Sequence, residues 1–330
     1  MLSHHVRLRL EQREESLSPY AIRVCASQGR AIPEAPSPLR TDFQRDRDRI
    51  IHSKAFRRLK HKTQVFIAPL GDHFVTRLTH TLEVSQIART IARALNLNED
   101  LEEAITLGHD LGHTPFGHIG EETLDQLAPT GFAHAPQSLR IVDTLEKDGQ
   151  GLNLTWEVRQ GILSHSKPQG DFLDSALPKN LTLEAQVCRL ADAVAYLNHD
   201  IGDAVRAGLL REDDLPSSVT ALLGPGHAQR IDALVTDVVE ASWVRAFMFE
   251  RVYLPTSHNP QGQKAREIVA FLYGYYTAHP DQIPQEYWRR EEPPKRMALD
   301  YLSGMTDHYA LRVAEELCPG ISGGVFGWVV

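Results

Sequence analysis

The stretch LEAQVCRLADAVAYLNHDIGDAV, residues 183–205, carries the most regular hydrophobic pattern in the chain. Its apolar side chains recur at spacings of three and four residues throughout: Leu183, Val187, Leu190, Val194, Leu197, Ile201 and Val205. This period is typical of one buried face of an α-helix. We therefore expect a long buried helix here, with neighbouring helices packed around it.

A second face of the same helix is polar. Asp192, Tyr196 and Asp200 follow one another at intervals of four residues, which places them on one side of the helix, tilted from the apolar stripe. A solvated surface is the ordinary explanation of such a triplet, since charged residues are mostly exposed. The flanking sequence, however, lacks the Lys and Glu residues usual on an exposed helix. The triplet is therefore a candidate for function.

The rest of the chain is also helical in pattern, with no alternating strand runs and no repeat. Further helices are predicted from Thr41 through Leu59, over Leu78–Leu95, from Asn98 to Leu107, and at about 137–147, 154–164, 227–250, 263–278 and 295–315. Three prolines between positions 33 and 38 exclude a helix there. The predicted fold class is all-α: an irregular N-terminal lead-in (1–40), one domain with a C-terminal helical part (41–315), and a tail (316–330).

Composition limits the protein's surroundings. The chain has 330 residues, is 42% hydrophobic and has a formal charge of −8. No apolar run approaches the roughly 18 residues of a membrane span, and residues 1–13 lack a signal-peptide core. The three cysteines are far apart and form no Cys-x-x-Cys pair. These features predict a cytoplasmic protein with no membrane partner.

Positive charge is concentrated in one segment. Residues 40–62 contain nine Lys and Arg residues against three Asp. In an acidic protein, such a segment favours a local anionic ligand, of which phosphate is the obvious example.

A glycine-rich motif, LGHDLGHTPFGHIGE at residues 107–121, holds three histidines, two carboxylates and four glycines. Imidazole and carboxylate groups bind divalent metals and transfer protons near neutral pH. Glycines let the backbone come close to other groups. Thr114 followed by Pro115 predicts the start of a helix, so the motif is expected to be a helix, an elbow at residues 112–117 and a second helix.

The pair His109 and Asp110 is a candidate for metal binding. Adjacent helical residues diverge by about 100°, so both reach one metal only at a helix end or bulge, which Gly108 and Gly112 permit. His80 and Asp192 would complete a set of two nitrogen and two oxygen ligands. Such a set favours an octahedral Mn, Fe, Co, Ni or Mg site over structural zinc. Taken alone, His80 is more simply a surface or core histidine.

Proton transfer is assigned to the second half of the motif. His118 and Glu121 are three residues apart and share a helix face, and a carboxylate that holds an imidazole raises its basicity. The alternative is a helix-capping Glu and a surface His. His113 is left between two roles, contact with the substrate and support of His109.

Three blocks in this sequence, residues 47–66, 107–121 and 300–307, resemble deoxyguanosine triphosphate triphosphohydrolases, and more closely the shorter bacterial dGTPase-like proteins. The similarity covers roughly residues 39–312. The order His80, His109-Asp110, Asp192 is also similar to the H…HD…D signature of HD-domain metal-dependent phosphohydrolases. The resemblance implies an HD-domain fold over residues 41–315.

The resemblance also implies roles. It gives His80, His109, Asp110 and Asp192 as ligands of a divalent metal, and His118 with Glu121 as the catalytic pair beside the α-phosphate. It further implies that Gln64 touches the deoxyribose, and that Tyr196 and Asp200 stack under the sugar and hold its 3′-hydroxyl. The ring of Tyr196 would leave no room for a 2′-hydroxyl.

The implied reaction is hydrolysis of a deoxynucleoside triphosphate (dNTP) to a deoxynucleoside and inorganic triphosphate, with broad base preference. Arg57, Arg58, Lys60 or Lys62 could grip the outer phosphates. The family implies a homo-oligomer with an allosteric dNTP as a further partner, and no sequence feature indicates single-stranded DNA. The alternatives are an HD phosphohydrolase for another nucleotide and a regulator that senses dNTPs or binds DNA.

Overall fold

The computed structural model describes residues 4–67, 73–166, 181–236, 260–288, 292–323 and 326. Within these ranges the chain is helical, and extended pairing is limited to two isolated bridges, Arg30 with Thr155 and Thr63 with Thr76. The predicted all-α class is confirmed. None of the described helices combines the length and the apolar character needed to cross a membrane.

The α-helices, in chain order, are α1 (His4–Glu14), α2 (Asp42–Ile51), α3 (Lys54–Arg58), α4 (Arg77–Ala94), α5 (Glu99–Gly108), α6 (His118–Leu127), α7 (His134–Arg140), α8 (Glu146–Gly149), α9 (Trp156–Ser164), α10 (Leu183–Arg206), α11 (Ser217–Leu223), α12 (His227–Thr236), α13 (Pro260–Ala278), α14 (Pro294–Ser303) and α15 (Asp307–Leu317). A π-helical turn, Ile141–Leu145, joins α7 to α8. Short 3-10 turns lie at Val24–Ala26, Leu59–His61, Glu212–Asp214, Pro280–Gln282 and Gln285–Tyr287.

Helix α10 is the centre of the fold, as its hydrophobic period predicts. Thr182 caps it by accepting a hydrogen bond from the Ala185 N–H, and the helix packs against α4, α5, α9 and α12. Its stripe residues Val187, Val194, Leu197 and Ile201 are buried. Burial of side chains of this size stabilises the fold by about 1.5–3 kcal/mol each. The polar face of α10 is thereby held in one orientation toward α4 and α5.

The C-terminal helices α13–α15 share a core with the elbow and α6, including Phe116, Ile119 and Leu124. Asp307, at the start of α15, accepts hydrogen bonds from the backbone N–H of Thr63 at 3.1 Å and of Phe116 at 3.0 Å. A single buried carboxylate from the C-terminal part therefore fixes both the segment after α3 and the elbow of the glycine-rich motif.

Several local predictions are wrong. The lead-in is not irregular throughout, since α1 occupies residues 4–14. Helix α6 begins at His118 after Gly117, which has a φ of 58°, and not at Thr114-Pro115. The helix predicted from Thr41 to Leu59 is interrupted after Ile51, where the Ser53 side chain caps α3.

The helix predicted at 137–147 starts earlier, at His134, and the chain leaves helical geometry at Lys147 and Asp148, which have positive φ. The helix predicted at 295–315 is two helices separated at Gly304. In the predicted tail, Phe326 is buried in the C-terminal core. Part of the helix predicted at 227–250, residues 237–250, lies outside the described residues.

Candidate active site

The four predicted metal ligands, His80, His109, Asp110 and Asp192, converge. Nε2 of His80 is 3.2 Å from Oδ1 of Asp192 and 3.7 Å from Oδ2 of Asp110. Nε2 of His109 is 3.4 Å from Oδ1 of Asp110 and 3.9 Å from Oδ1 of Asp192. The three helices α4, α5 and α10 thus bring two imidazoles and two carboxylates around one point. Helix α5 ends at Gly108, so the adjacent pair lies just past a helix end, where both side chains can turn inward.

His109 has a nitrogen free to bind a metal. Its Nδ1 lies 2.5 Å from the backbone carbonyl oxygen of Thr106, which can only accept a hydrogen bond, so Nδ1 carries the proton. Nε2 is then an unprotonated acceptor, and it is buried without a hydrogen-bond partner. Orphaned buried polar atoms are rare in folded proteins. Together with the neighbouring carboxylates, this atom fits a divalent cation, with ligands of the type that suits Mn, Fe, Co or Ni.

Asp110 is held as a carboxylate. Arg77 donates a hydrogen bond from Nη1 to its Oδ2 at 2.6 Å. Burial alone would raise the pKa of Asp110, but His109, His113 and Arg77 lower it by more, and the net pKa is well below its usual range. Nη2 of Arg77 is buried and has no hydrogen-bond partner. A cation with an unused donor beside the ligand set is suited to an anionic ligand.

Glu121 contacts two histidines, and the predicted partner is the more distant one. His118 Nδ1 is 3.3 Å from Oε2 of Glu121, and the His118 side chain is 74% exposed. His134 Nδ1 is 2.7 Å from Oε1 of the same carboxylate and is nearly buried. His118 and Glu121 are therefore in contact, as predicted. The closer partner of Glu121, His134, was not predicted from the sequence.

The hydrogen bonds assign protons to His134. His165 Nδ1 is 2.7 Å from the carbonyl oxygen of Ile162, so it donates, and Nε2 of His165 must accept. That Nε2 is 3.0 Å from Nε2 of His134, which must therefore donate. Because the other nitrogen of His134 faces a carboxylate, the ring carries protons on both nitrogens. Burial lowers the pKa of His134, the carboxylates of Glu121 and Asp110 raise it, and the net pKa is above its ordinary value.

Neither His134 nor His165 stands in a recognisable motif. They come from α7 and the end of α9, and only the packing of these helices on the elbow brings them to Glu121 and Asp110. His113 lies between the two groups. Its Nε2 is 3.3 Å from Oδ1 of Asp110, and its ring stacks on that of His134 with centroids 3.9 Å apart.

The residues predicted to hold the sugar come from α10 and from the segment that follows α3. Tyr196 follows Asp192 by one helical turn and is half-buried, and Asp200 is buried with its Oδ1 2.7 Å from Nδ1 of His199. Gln64 is buried, and its side-chain oxygen has no hydrogen-bond partner. Its backbone lies against the elbow at Gly117.

The basic segment is less available for a ligand than its charge suggests. Most of its arginines pair with carboxylates of this chain: Arg40 with Asp48, Arg45 and Arg49 with Glu34, and Arg47 with Glu103. Lys62 is buried and donates to the carbonyl oxygens of His113 and Ser303, and burial lowers its pKa to about 7. Arg58 is half-buried and lines a small cavity with Tyr287. Arg57 and Lys60 are exposed.

Comparison with known proteins identifies the family and the fold of the chain. The HD domain family model matches residues 77–197, and that of the phosphohydrolase-associated domain matches residues 238–316. A crystal structure of a phosphohydrolase from Bacteroides thetaiotaomicron has the same fold, with a TM-score of 0.51 at 17% identity, over 84% of this chain and 71% of that one. The family matches, together with this fold, identify the chain as a hydrolase of the HD phosphohydrolase type.

Closer relatives narrow the class. The chain is 53% identical to the deoxyguanosinetriphosphate triphosphohydrolase-like protein of Caldanaerobacter subterraneus, over 91% of this chain and 92% of the relative. It is 48% identical to that of Desulfatibacillum aliphaticivorans, over 93% and 96%. The chain belongs to the deoxyguanosinetriphosphate triphosphohydrolase-like family.

Proposed function

We propose that this protein hydrolyses dNTPs to a deoxynucleoside and inorganic triphosphate in a metal-dependent reaction. The observation that carries the proposal is the unpartnered Nε2 of His109, which lies in a ring of two carboxylates and His80 beside the doubly protonated His134. A metal site next to a buried cationic side chain is suited to stabilise the charge that develops at one phosphate during its cleavage. The family name and the polar face of α10 support a deoxynucleotide as the substrate.

Each group has a part in the proposed reaction. A divalent cation at His80, His109, Asp110 and Asp192 would neutralise charge on the α-phosphate and lower the pKa of a water molecule. Arg77 would donate its unused Nη2 hydrogen to a phosphate oxygen. His134, protonated and held by Glu121, would stabilise charge on the phosphate. His118, at the exposed side of Glu121, would deliver a proton to the departing 5′-oxygen. Gln64, Tyr196 and Asp200 would bind the sugar.

Product analysis tests this proposal. The purified protein is incubated with each dNTP and with GTP under Mn²⁺ or Mg²⁺, singly and in mixtures, and the products are separated by anion-exchange chromatography. We expect inorganic triphosphate and deoxynucleoside in equal amounts, with release abolished by a chelator and restored by metal. Release of inorganic phosphate without triphosphate would instead indicate an HD phosphohydrolase with another reaction.

Tyr196 provides a test of sugar discrimination. Replacement of Tyr196 by Ala removes the ring that is proposed to occlude the 2′-hydroxyl, so the ratio of kcat/KM for dGTP to that for GTP should fall by about 10-fold or more, as expected when a steric exclusion worth a few kcal/mol is lost. Activity of the native protein on GTP equal to that on dGTP would contradict this role. Tyr309→Ala, on the exposed face of α15, is the matched control.

The two partners of Glu121 can be compared directly. We expect His118→Gln to lower kcat by roughly 10²–10⁴, the range of general acid catalysis. We expect His134→Gln to lower it by roughly 10²–10³, the range for loss of one group that stabilises developing charge. His134→Gln should also raise KM, because the buried cation beside the phosphate is lost. His118 is exposed, so its substitution should leave the melting temperature unchanged. Full activity of His134→Gln would show that its protonation serves folding alone.

A further inference from the structure

His199 lies between His80, a proposed metal ligand, and Asp200, a proposed contact of the sugar. Its Nε2 is 2.8 Å from Nδ1 of His80, and its Nδ1 is 2.7 Å from Oδ1 of Asp200. The ring is buried, with 3% of its surface exposed, and meets that of His80 edge to face. His199 thus contacts one proposed metal ligand and one proposed sugar contact, and it takes no direct part in the proposed reaction.

The proton positions of His80 and His199 follow from the nitrogen of His80 that would bind a cation. Nε2 of His80 faces Asp110 and Asp192 and is the atom that would bind a cation, so the ring proton of His80 must be on Nδ1. That N–H then donates to Nε2 of His199. With Nε2 as the acceptor, a neutral His199 carries its proton on Nδ1, which is 2.7 Å from Oδ1 of Asp200, a close polar contact without the alignment of a hydrogen bond. A neutral imidazole has one donor and one acceptor, so the proton on Nδ1 of His80 decides which nitrogen of His199 is directed at Asp200 as an N–H.

We propose that His199 is a positioning residue that couples metal binding at His80 to sugar binding at Asp200. The inference rests on the proposed function, which makes His80 a ligand and Asp200 a contact of the 3′-hydroxyl. A ligand histidine that is oriented through its second nitrogen binds metal more tightly, and loss of such a partner typically weakens metal affinity by about 10–100-fold. Coupling between two ligands is reciprocal, so a bound deoxynucleotide should also tighten metal binding.

Two substitutions separate the contact of His199 with His80 from its contact with Asp200. The side-chain amide of Asn reaches about as far from the backbone as Nδ1 of histidine, so His199→Asn can keep a donor for Asp200 and lose the acceptor for His80. Gln reaches about as far as Nε2, so His199→Gln can keep an acceptor for His80 and lose the donor for Asp200. His52→Asn is the matched control, because His52 is exposed and directly follows the C-terminal end of α2.

Two readouts are measured on the full-length protein. One is the Kd of Mn²⁺ for the metal-depleted protein, by calorimetry. The other is the ratio of KM for a 2′,3′-dideoxynucleoside triphosphate to that for the dNTP, at saturating Mn²⁺. We expect His199→Asn to raise the Mn²⁺ Kd by about 10–100-fold and to keep the KM ratio. We expect His199→Gln to keep the Kd near the native value and to bring the KM ratio toward one.

The outcomes distinguish the two proposals. If the native protein binds no Mn²⁺ and releases no triphosphate, the proposed function fails and the role of His199 fails with it. If the native protein does both, and neither variant changes the Kd or the KM ratio, only the coupling role is overturned. Equal changes of both readouts in both variants would indicate a purely structural residue and would also overturn it. Thermal unfolding of each variant shows whether it is folded. Each variant tests one of the two contacts of His199, so one folded variant is enough to decide that contact.

Discussion

Replacement of His109 by Gln is expected to abolish metal-dependent hydrolysis. His109 contributes the unpartnered Nε2 to the proposed ligand set, and its Nδ1 is fixed by the Thr106 carbonyl oxygen at 2.5 Å. Gln fills much of the same volume but offers an amide in place of an imidazole nitrogen. We expect kcat/KM for dNTPs to fall by at least about 10³-fold, which corresponds to roughly 4 kcal/mol of transition-state stabilisation.

Metal binding provides the second measurement for this variant. Calorimetry with the metal-depleted protein should give a Mn²⁺ Kd raised by more than about 100-fold, since a direct ligand matters more than the groups behind it. The fold should persist, because the orphaned buried nitrogen is removed without opening a cavity. His52→Gln is the control for an exposed histidine. Native Mn²⁺ affinity in His109→Gln would exclude this atom as a ligand.

Much of the fold, and the helix end at which two of the four proposed ligands lie, could be predicted because the signals are local. The apolar period of 183–205 gives α10 directly, and the same period places Asp192, Tyr196 and Asp200 on a separate face. The adjacency of His109 and Asp110 required a helix end, and α5 ends at Gly108. In each case the sequence pattern and the structure that it predicts lie within one short segment.

The missed features depend on contacts between distant segments. His134, His165 and His199 lie in ordinary helical sequence, and they matter only because α7, α9 and α10 meet at one place. The start of α6 was misplaced for a similar reason. Phe116, with a φ of 64°, costs about 1–2 kcal/mol in that conformation, and its N–H is held by Asp307, nearly 200 residues away. Thr114 and Pro115 therefore form the elbow and not a cap.

A second large effect is expected for Gly112→Ala, a substitution within the elbow. Helix α7 packs directly on this glycine. The Gly112 N–H donates to Oγ of Ser138 at 2.8 Å, and that hydroxyl donates to the His109 carbonyl oxygen at 2.7 Å. A Cβ at position 112 would lie 2.3 Å from both the carbonyl oxygen of His134 and the amide nitrogen of Ser138. These are backbone atoms, so relief requires the whole of α7 to move.

Displacement of α7 carries His134 away from Glu121, and stability and activity should therefore fall together. We expect the free energy of unfolding to drop by about 1–3 kcal/mol, as for overpacked interiors, and the melting temperature to fall by roughly 3–10 °C. We expect hydrolysis to fall at least about 10-fold even in the folded fraction, because a misplaced catalytic group is costly. Gly274→Ala, at an exposed position of α13 with no atom within 4 Å of the added methyl group, is the control, and its helix propensity favours Ala by up to about 1 kcal/mol. A Gly112→Ala protein with native melting temperature and activity would mean that α7 can shift without cost, and that His134 need not sit on Glu121 for the chemistry.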